Sequence, residues 1–277
     1  MERPRVTRRA LMWWVGPLAL VASAVFLVRS ADLPSLQRTW DAALAAPLAL
    51  ALVLALYATA FLVRALTWCR TLPGLSLAHS LAALHVSLLG NHVLPLRLGE
   101  ALRVTSVVRR ARIPVASATA STVLLRAADV LAVAVLATAF SPDLVDSLIG
   151  GWSWVVMAFA VALWVAGAWW LRRLRRDRRV ELRTSTVLVS VAAPAAWVLE
   201  SAVVWQAARW AGMDISFPQA ILVTAVTIAA QVVAITPGGI GTYEAAATAS
   251  FVALGSGPEP AFAAAVTAHA IKTAYSL

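Results

Sequence analysis

The sequence predicts an all-α fold, a polytopic helical membrane protein, from its composition, the length of its apolar runs and the placement of its arginines. Of the 277 residues, 61% are hydrophobic and only 13% charged, a balance foreign to a soluble globular domain. The apolar residues form continuous stretches of about 20, the length a helix needs to cross a bilayer's hydrocarbon. They are rich in Ala, Leu and Val, without the short alternating segments of a transmembrane β-barrel. The arginines gather in alternate loops, as in chains that cross a membrane repeatedly. The expected architecture is a single integral membrane domain, 1–277, with about six spans and two re-entrant helical hairpins arranged as an inverted repeat.

The elements follow in order. Arg3, Arg5, Arg8 and Arg9 precede an apolar run at 11–28. A signal peptide begins the same way, but its apolar core spans only ~7–15 residues, so the run is read as a first span. Residues 44–63 form the second span, and 77–98 carry the first hairpin, expected near 77–100. Runs at 115–140 and 152–171 follow, the latter a span linking repeats 44–140 and 185–277. Within the second repeat, 185–208 and 261–277 are spans, and 217–254 is a hairpin nearly twice the length of one crossing. The end at Tyr275-Ser276-Leu277, without a basic flank, reads as a short or truncated final helix.

Loop charge orients these segments. Arg109, Arg110 and Arg112 form one basic cluster, and Arg172, Arg173, Arg175, Arg176, Arg178, Arg179 and Arg183 another. With the first four arginines and Arg64, Arg70, Arg97 and Arg103, eighteen fall on one proposed side. The other side holds Arg29, Arg38 and Arg209 among acidic residues. The positive-inside rule then puts the N-terminus in the cytoplasm of a cell-membrane protein. Because both flanks of 77–98 are basic, that segment must return to the side it came from; otherwise it lies along the surface as an amphipathic helix. The break at 236–239 likewise folds 217–254 into a hairpin opening outward. The net charge of +10 suits loop arginines facing anionic headgroups and gives no reason to expect nucleic acid. Trp13, Trp14, Trp40, Trp68, Trp152, Trp154, Trp169, Trp170, Trp205 and Trp210 fall near predicted span ends, as an interfacial belt would.

Two Pro/Gly motifs interrupt this apolar chain and bring charges with them. In Asn91–Arg103, NHVLPLRLGEALR, Pro95 ends one helix and Gly99 permits a close backbone approach. A helix restarting near Arg97 would align Arg97, Glu100 and Arg103 on one face. Guanidinium groups bind phosphate oxygens in a fork, with Glu100 available to hold one in place; a headgroup-level ion-pair cluster is the plainer alternative. In Thr236–Glu244, TPGGIGTYE, the amides of Gly238, Gly239 and Gly241 and the following helix N-terminus favour an anion. The motif has neither the lysine nor the preceding strand of a nucleotide-binding loop, and its glycines alone would also make a tight hairpin. Glu244 falls at membrane depth, where an ionised group needs a partner.

Arg126 and Asp129 lie three apart on one helix, placed to pair with each other or with the hairpins. Together with Glu200 they form the expected internal charge network. His269 and Lys272 are the remaining ionisable groups near membrane depth, and Lys272 is close enough to a span end to snorkel. His85 and His92 are seven apart without a neighbouring carboxylate, so no metal site is expected, and no other cofactor. Cys69 is the single cysteine and has no internal disulfide partner. No Ser-His-Asp or Cys-His spacing suggests an enzyme.

At Asn91, Pro95, Arg97, Gly99, Glu100 and Arg103, then Arg126 and Asp129, then Pro237, Gly238, Gly239, Gly241 and Glu244, the chain resembles a known family. It is similar to the transmembrane (flippase) region of the lysylphosphatidylglycerol synthases, in a stand-alone form without the aminoacyltransferase domain. The resemblance runs from about residue 44 to the C-terminus. It implies movement of a phospholipid or polyprenyl-phosphate lipid between leaflets, with a lipid-modifying enzyme as a possible partner. The alternatives are a secondary transporter of a small solute and a membrane partner of an enzyme acting on lipid-linked sugars or aminoacyl lipids.

Overall fold

Proline marks where the long helices begin, because a first-turn residue needs no N–H and Pro presets the helical φ. Pro47 and Pro258 stand in the first turns of two helices, and the carbonyl of Pro114 accepts the first bond of a third, from Ala118 N–H at 3.0 Å. The computed structural model describes residues 32–94, 98–140, 153–176, 180–183, 186–232 and 236–277, and before them only Val21, Val25, Val28 and Arg29. The predicted span at 11–28, Trp13, Trp14, Trp152, and Pro95 with Arg97 lie outside the described residues, apart from those isolated valines. The described residues form ten α-helices and no strand, an all-α helical membrane protein.

Helix α1 (Leu33–Leu44) is an addition to the expected elements. Asp32 caps it through Oδ2, which accepts Ser35 N–H at 3.0 Å, and its buried face is Ser35, Thr39 and Ala43. These small residues let it lie close against later helices. Its twelve residues are too mixed in polarity to stand out as an apolar run.

Helix α2 (Pro47–Thr71) continues past the predicted end at 63 and takes Arg64 with it. At about 1.5 Å per residue, its 25 residues span roughly 37 Å. Helices α3 (Leu77–Val93) and α4 (Gly99–Ala111) fold back on each other as a hairpin. Gly90 and Gly99 make this close approach possible. A Cβ on Gly99 would lie 2.0 Å from the Ser87 carbonyl oxygen, and one on Gly90 would lie 3.2 Å from Gly99 Cα. The Asn91 side-chain oxygen also accepts Gly99 N–H at 3.0 Å, clasping the two arms.

Helices α5 (Val115–Phe140), α6 (Ser153–Arg176) and α7 (Thr186–Trp210) follow. Trp68 of α2 donates its indole N–H to Ser121 of α5 at 2.9 Å. The basic stretch before α7 is tied to the same end of the bundle: Arg183 N–H donates to Thr71 O, and Glu181 N–H to Ser117 Oγ. The first hairpin therefore opens at the basic end, since its arms connect to Thr71 and Val115. By length and composition, Pro47–Thr71, Val115–Ala139 and Val187–Trp210 can each cross a membrane; Met157–Trp170 and Phe217–Gln231 are shorter apolar helices.

Helix α8 (Phe217–Val232) starts with a capping box, in which Gln219 Oε1 accepts Ser216 N–H at 2.8 Å and Ser216 Oγ accepts Gln219 N–H at 3.4 Å. A single 3-10 turn, Pro237–Gly239, leads into α9 (Thr242–Ala253). Gly238, Gly239 and Gly241 have φ of 67, 72 and 84°, a region costly for any residue with a Cβ. The α8–α9 pair is the second hairpin, and it opens at the end where α7 finishes. Helix α10 (Pro258–Ser276) returns beside α9, its buried face lined by Ala261, Ala264, Ala265 and Ala268.

The core lies where α2 runs along α7 and both hairpins and α10 close around them. Within it the two broken segments touch. The Pro237–Gly239 turn packs on α3, and a Cβ on Gly238 would lie 3.3 Å from the His92 ring.

Candidate functional site

Beside that contact lies a cavity of about 120 Å³ between the hairpins and α2, α5, α7 and α10. Its wall carries four basic side chains: Arg64 of α2, Arg103 of α4, Arg126 of α5 and Lys272 of α10.

The helical spacing of α2 aims one face at this cavity. Tyr57, Phe61, Arg64 and Trp68 follow each other at three- and four-residue steps, the period of a helix face. Arg103 lies over Trp68, its guanidinium carbon 4.0 Å from the ring centroid, and is only 4% exposed. A guanidinium held over an aromatic ring still needs acceptors for its N–H groups.

The acids divide these cations into two groups. Glu200 of α7 is bracketed by Arg64 at 3.1 Å and Lys272 at 3.2 Å. Glu100 of α4 pairs closely with Arg126, which also reaches Asp129 at 3.2 Å, while Arg103 stands 3.6 Å from Glu100. Arg103 Nε is buried without an acceptor among the described residues, as is the indole nitrogen of Trp197. Both residues line the cavity. A buried donor left without a partner costs on the order of 1–3 kcal/mol, and an anion in the cavity is the group that would relieve it.

The structure brings most of the sequence-derived candidates together. Asn91, Arg103, Arg126, Asp129, Glu200, Gly238 and Gly239 line the cavity, and Glu100 pairs with two of its arginines. Glu244 does not join the Glu100–Arg126–Asp129 group. It caps α9 by accepting Gly241 N–H at 2.7 Å and bonds His269 at 2.6 Å. The glycine amides are also committed locally: Gly239 N–H donates to Thr236 O, and Gly241 N–H to Glu244. In this conformation those two amides are turned away from any ligand. Arg97 lies outside the described residues, and α4 is described from Gly99 onward.

Three sequence expectations change. Arg64 and Arg103 are interior side chains, which removes two from the loop-arginine count without reversing its imbalance. Lys272 is buried against Glu200 instead of snorkelling, because α7 supplies a carboxylate at its depth. Trp68 is fully buried beneath Arg103 and is no interfacial anchor, whereas Trp154 and Trp169 are well exposed. Sequence reasoning missed Arg64 at the site; the three- and four-residue spacing from Tyr57 to Trp68 was the available signal.

The family model for the lysylphosphatidylglycerol synthase TM region matches residues 13–277. The chain belongs to this family. Membership makes it a multi-pass membrane protein of lipid metabolism or transport, and the matched region is the non-catalytic part of the synthases. No curated protein and no solved structure matches significantly. The matched region takes in all of the cavity wall.

Proposed function

We propose that this protein carries the phosphate of a membrane lipid between leaflets through the cavity beneath the two hairpins. The observation that carries the reading is Arg103. Arg64, Arg126 and Lys272 are engaged in close ion pairs, although the Arg64 Nη1 facing Glu200 lacks hydrogen-bond geometry; Arg103 keeps only a longer pair, at 3.6 Å, and has an Nε donor with no acceptor among the described residues. A phosphate oxygen supplies the acceptor that this buried guanidinium lacks, and acyl chains stay in lipid. On this reading the hairpins are re-entrant from opposite faces of the cell membrane and form an inverted repeat, with the N-terminus cytoplasmic. Such repeats place their binding site near the midplane and alternate access by rocking one half against the other. Asn91, Gly238 and Gly239 shape the site, while Glu100, Arg126, Asp129 and Glu200 hold its cations. Arg97 belongs to the same motif and is assigned to the phosphate path.

The substrate is a phospholipid or a polyprenyl-phosphate lipid, delivered or consumed by a lipid-modifying enzyme. A cavity of about 120 Å³ is well below the roughly 300–1,000 Å³ of sites that enclose a whole small molecule. That size also favours a second reading, transport of a small free anion. Purified protein in liposomes bearing a fluorescent phospholipid separates the two. Arg103→Ala is expected to lose at least tenfold in transfer rate, and Arg103→Lys to recover only part of it. Unchanged transfer in Arg103→Ala overturns the assignment, and phosphate uptake without lipid transfer selects the second reading.

A further inference from the structure

We infer that Glu244 and His269 together form a proton-binding site that latches the second hairpin, and that a proton is the coupling ion of the transport cycle. This goes beyond the proposed function by naming what drives it, and rests on that reading only for the transport cycle.

The His269 ring is bonded at both nitrogens: Nδ1 lies 2.6 Å from Glu244 Oε1, and Nε2 lies 3.1 Å from the Gly238 carbonyl oxygen. A carbonyl oxygen only accepts, so Nε2 must carry hydrogen to make its bond. A neutral imidazole has one N–H, which leaves Nδ1 bare. A bare nitrogen facing an ionised carboxylate at 2.6 Å would set two lone pairs against each other. One further proton must therefore lie between Nδ1 and Oε1, whichever atom holds it. Glu244 Oε2 meanwhile accepts Gly241 N–H, so the carboxyl group cannot turn away without uncapping α9.

Loss of that proton has a structural consequence. His269 would take the tautomer with hydrogen on Nδ1 to keep Glu244, and would then have none to give Gly238. Only Gln231, at 3.4 Å, would still hold that carbonyl. The Pro237–Gly239 turn would be released from α10, and this is the turn that packs on His92 of the first hairpin. Proton occupancy is thereby linked to the contact between the two halves of the cavity wall.

The surroundings suit a proton site. His269 and Glu244 are each 5% exposed, yet His269 reaches the cavity wall. From α9, Tyr243 stacks on the His269 ring at 4.4 Å; from α3, the His92 ring lies 6.2 Å away. Lys272 of α10 is paired with Glu200 of α7, a carboxylate it shares with Arg64. Tyr57 and Arg64 of α2, Arg103 of α4 and the Arg126–Asp129 pair of α5 face the site across the cavity. The sequence of α8 carries no titratable residue, and α1 buries only Ser35, Thr39 and Ala43.

Two measurements on the full chain test this. In detergent, nitrogen NMR of histidine-labelled protein identifies the His269 signal by its loss in His269→Gln. Infrared spectroscopy identifies a protonated Glu244 carboxyl by its loss in Glu244→Gln. Either two protonated ring nitrogens on His269 or a protonated Glu244 is the expected result. A singly protonated ring beside an ionised Glu244 overturns it, and wild-type NMR with Glu244→Gln suffices if His269→Gln does not fold. In liposomes with the electrical potential clamped, a one-unit pH gradient is tenfold in proton activity. For one proton per lipid it shifts the leaflet ratio by up to about tenfold. Lipid transfer that ignores the gradient overturns the coupling but leaves the lipid reading intact. Absence of any transfer strikes the lipid reading, and the spectroscopy still decides the proton site.

Discussion

Glu200 is held between Arg64 of α2 and Lys272 of α10, at 3.1 and 3.2 Å, so one carboxylate pairs with cations from opposite halves of the chain. All three side chains are largely buried, where removing one partner of an ion pair strands the charge that remains. Glu200→Gln strands two and is expected to destabilise the protein by about 3 kcal/mol or more, read as a fall in thermal stability in detergent. Lys272→Met on its own removes one cation and leaves Glu200 paired with Arg64. Combined with Glu200→Gln, it should cost less than the sum of the two single changes, because the double variant has only Arg64 unpaired. Simple additivity would show that Glu200 and Lys272 do not interact as their distance implies. The triad was not legible beforehand. Residues 64, 200 and 272 share no helical spacing, and only the packing of α2, α7 and α10 unites them. Glu100 with Arg103 and Arg126 with Asp129 were legible, because a separation of three on one helix fixes proximity locally.

At the level of elements, the first hairpin depends on two glycines facing each other across its arms. Gly99→Ala would drive a Cβ to 2.0 Å from the Ser87 carbonyl and 2.5 Å from the Asn91 side chain. Backbone cannot yield as a flexible side chain does, so the arms must separate and the Asn91–Gly99 clasp is lost. The expected result is a sharp fall in folded yield. Gly167→Ala in α6 is the control: its new Cβ meets only Ala127, at 3.9 Å. That change should be neutral or stabilise by up to about 1 kcal/mol, the helix propensity difference. Equal loss in both variants, measured by fluorescence-detected gel filtration, would show that the close crossing is not what Gly99 provides. Most helices were readable from the sequence, since 20-residue apolar runs and Pro or Gly breaks are local signals. Helix α1 was not, because its buried face is Ser35, Thr39 and Ala43, which carry little hydrophobic signal. The end of α2 was misplaced for a related reason: Arg64 looks like a boundary until Glu200 is seen to meet it.

For the whole molecule, the proposed mechanism requires the two hairpins to open on opposite faces of the membrane. The chain's own connections support this arrangement. The first hairpin joins Thr71 and Val115, at the end of the bundle where Arg183 and Glu181 are tied down. The second joins Trp210 and Pro258, at the other end of α7. If the basic end is cytoplasmic, Arg110 and Arg183 face the cytoplasm and Glu259 faces outward; all three are exposed. Single cysteines at these positions, in a Cys69→Ser background, turn the requirement into a measurement with a membrane-impermeant maleimide on intact cells. Glu259→Cys should label directly, and Arg110→Cys and Arg183→Cys only after permeabilisation. The reverse pattern would invert the orientation while keeping the hairpins opposed. Labelling all three from one side would remove the inverted repeat, because two hairpins opening to the same face cannot expose one phosphate site to each leaflet in turn. The cavity would then be a one-sided pocket, and Arg103 would hold an anion rather than pass it across.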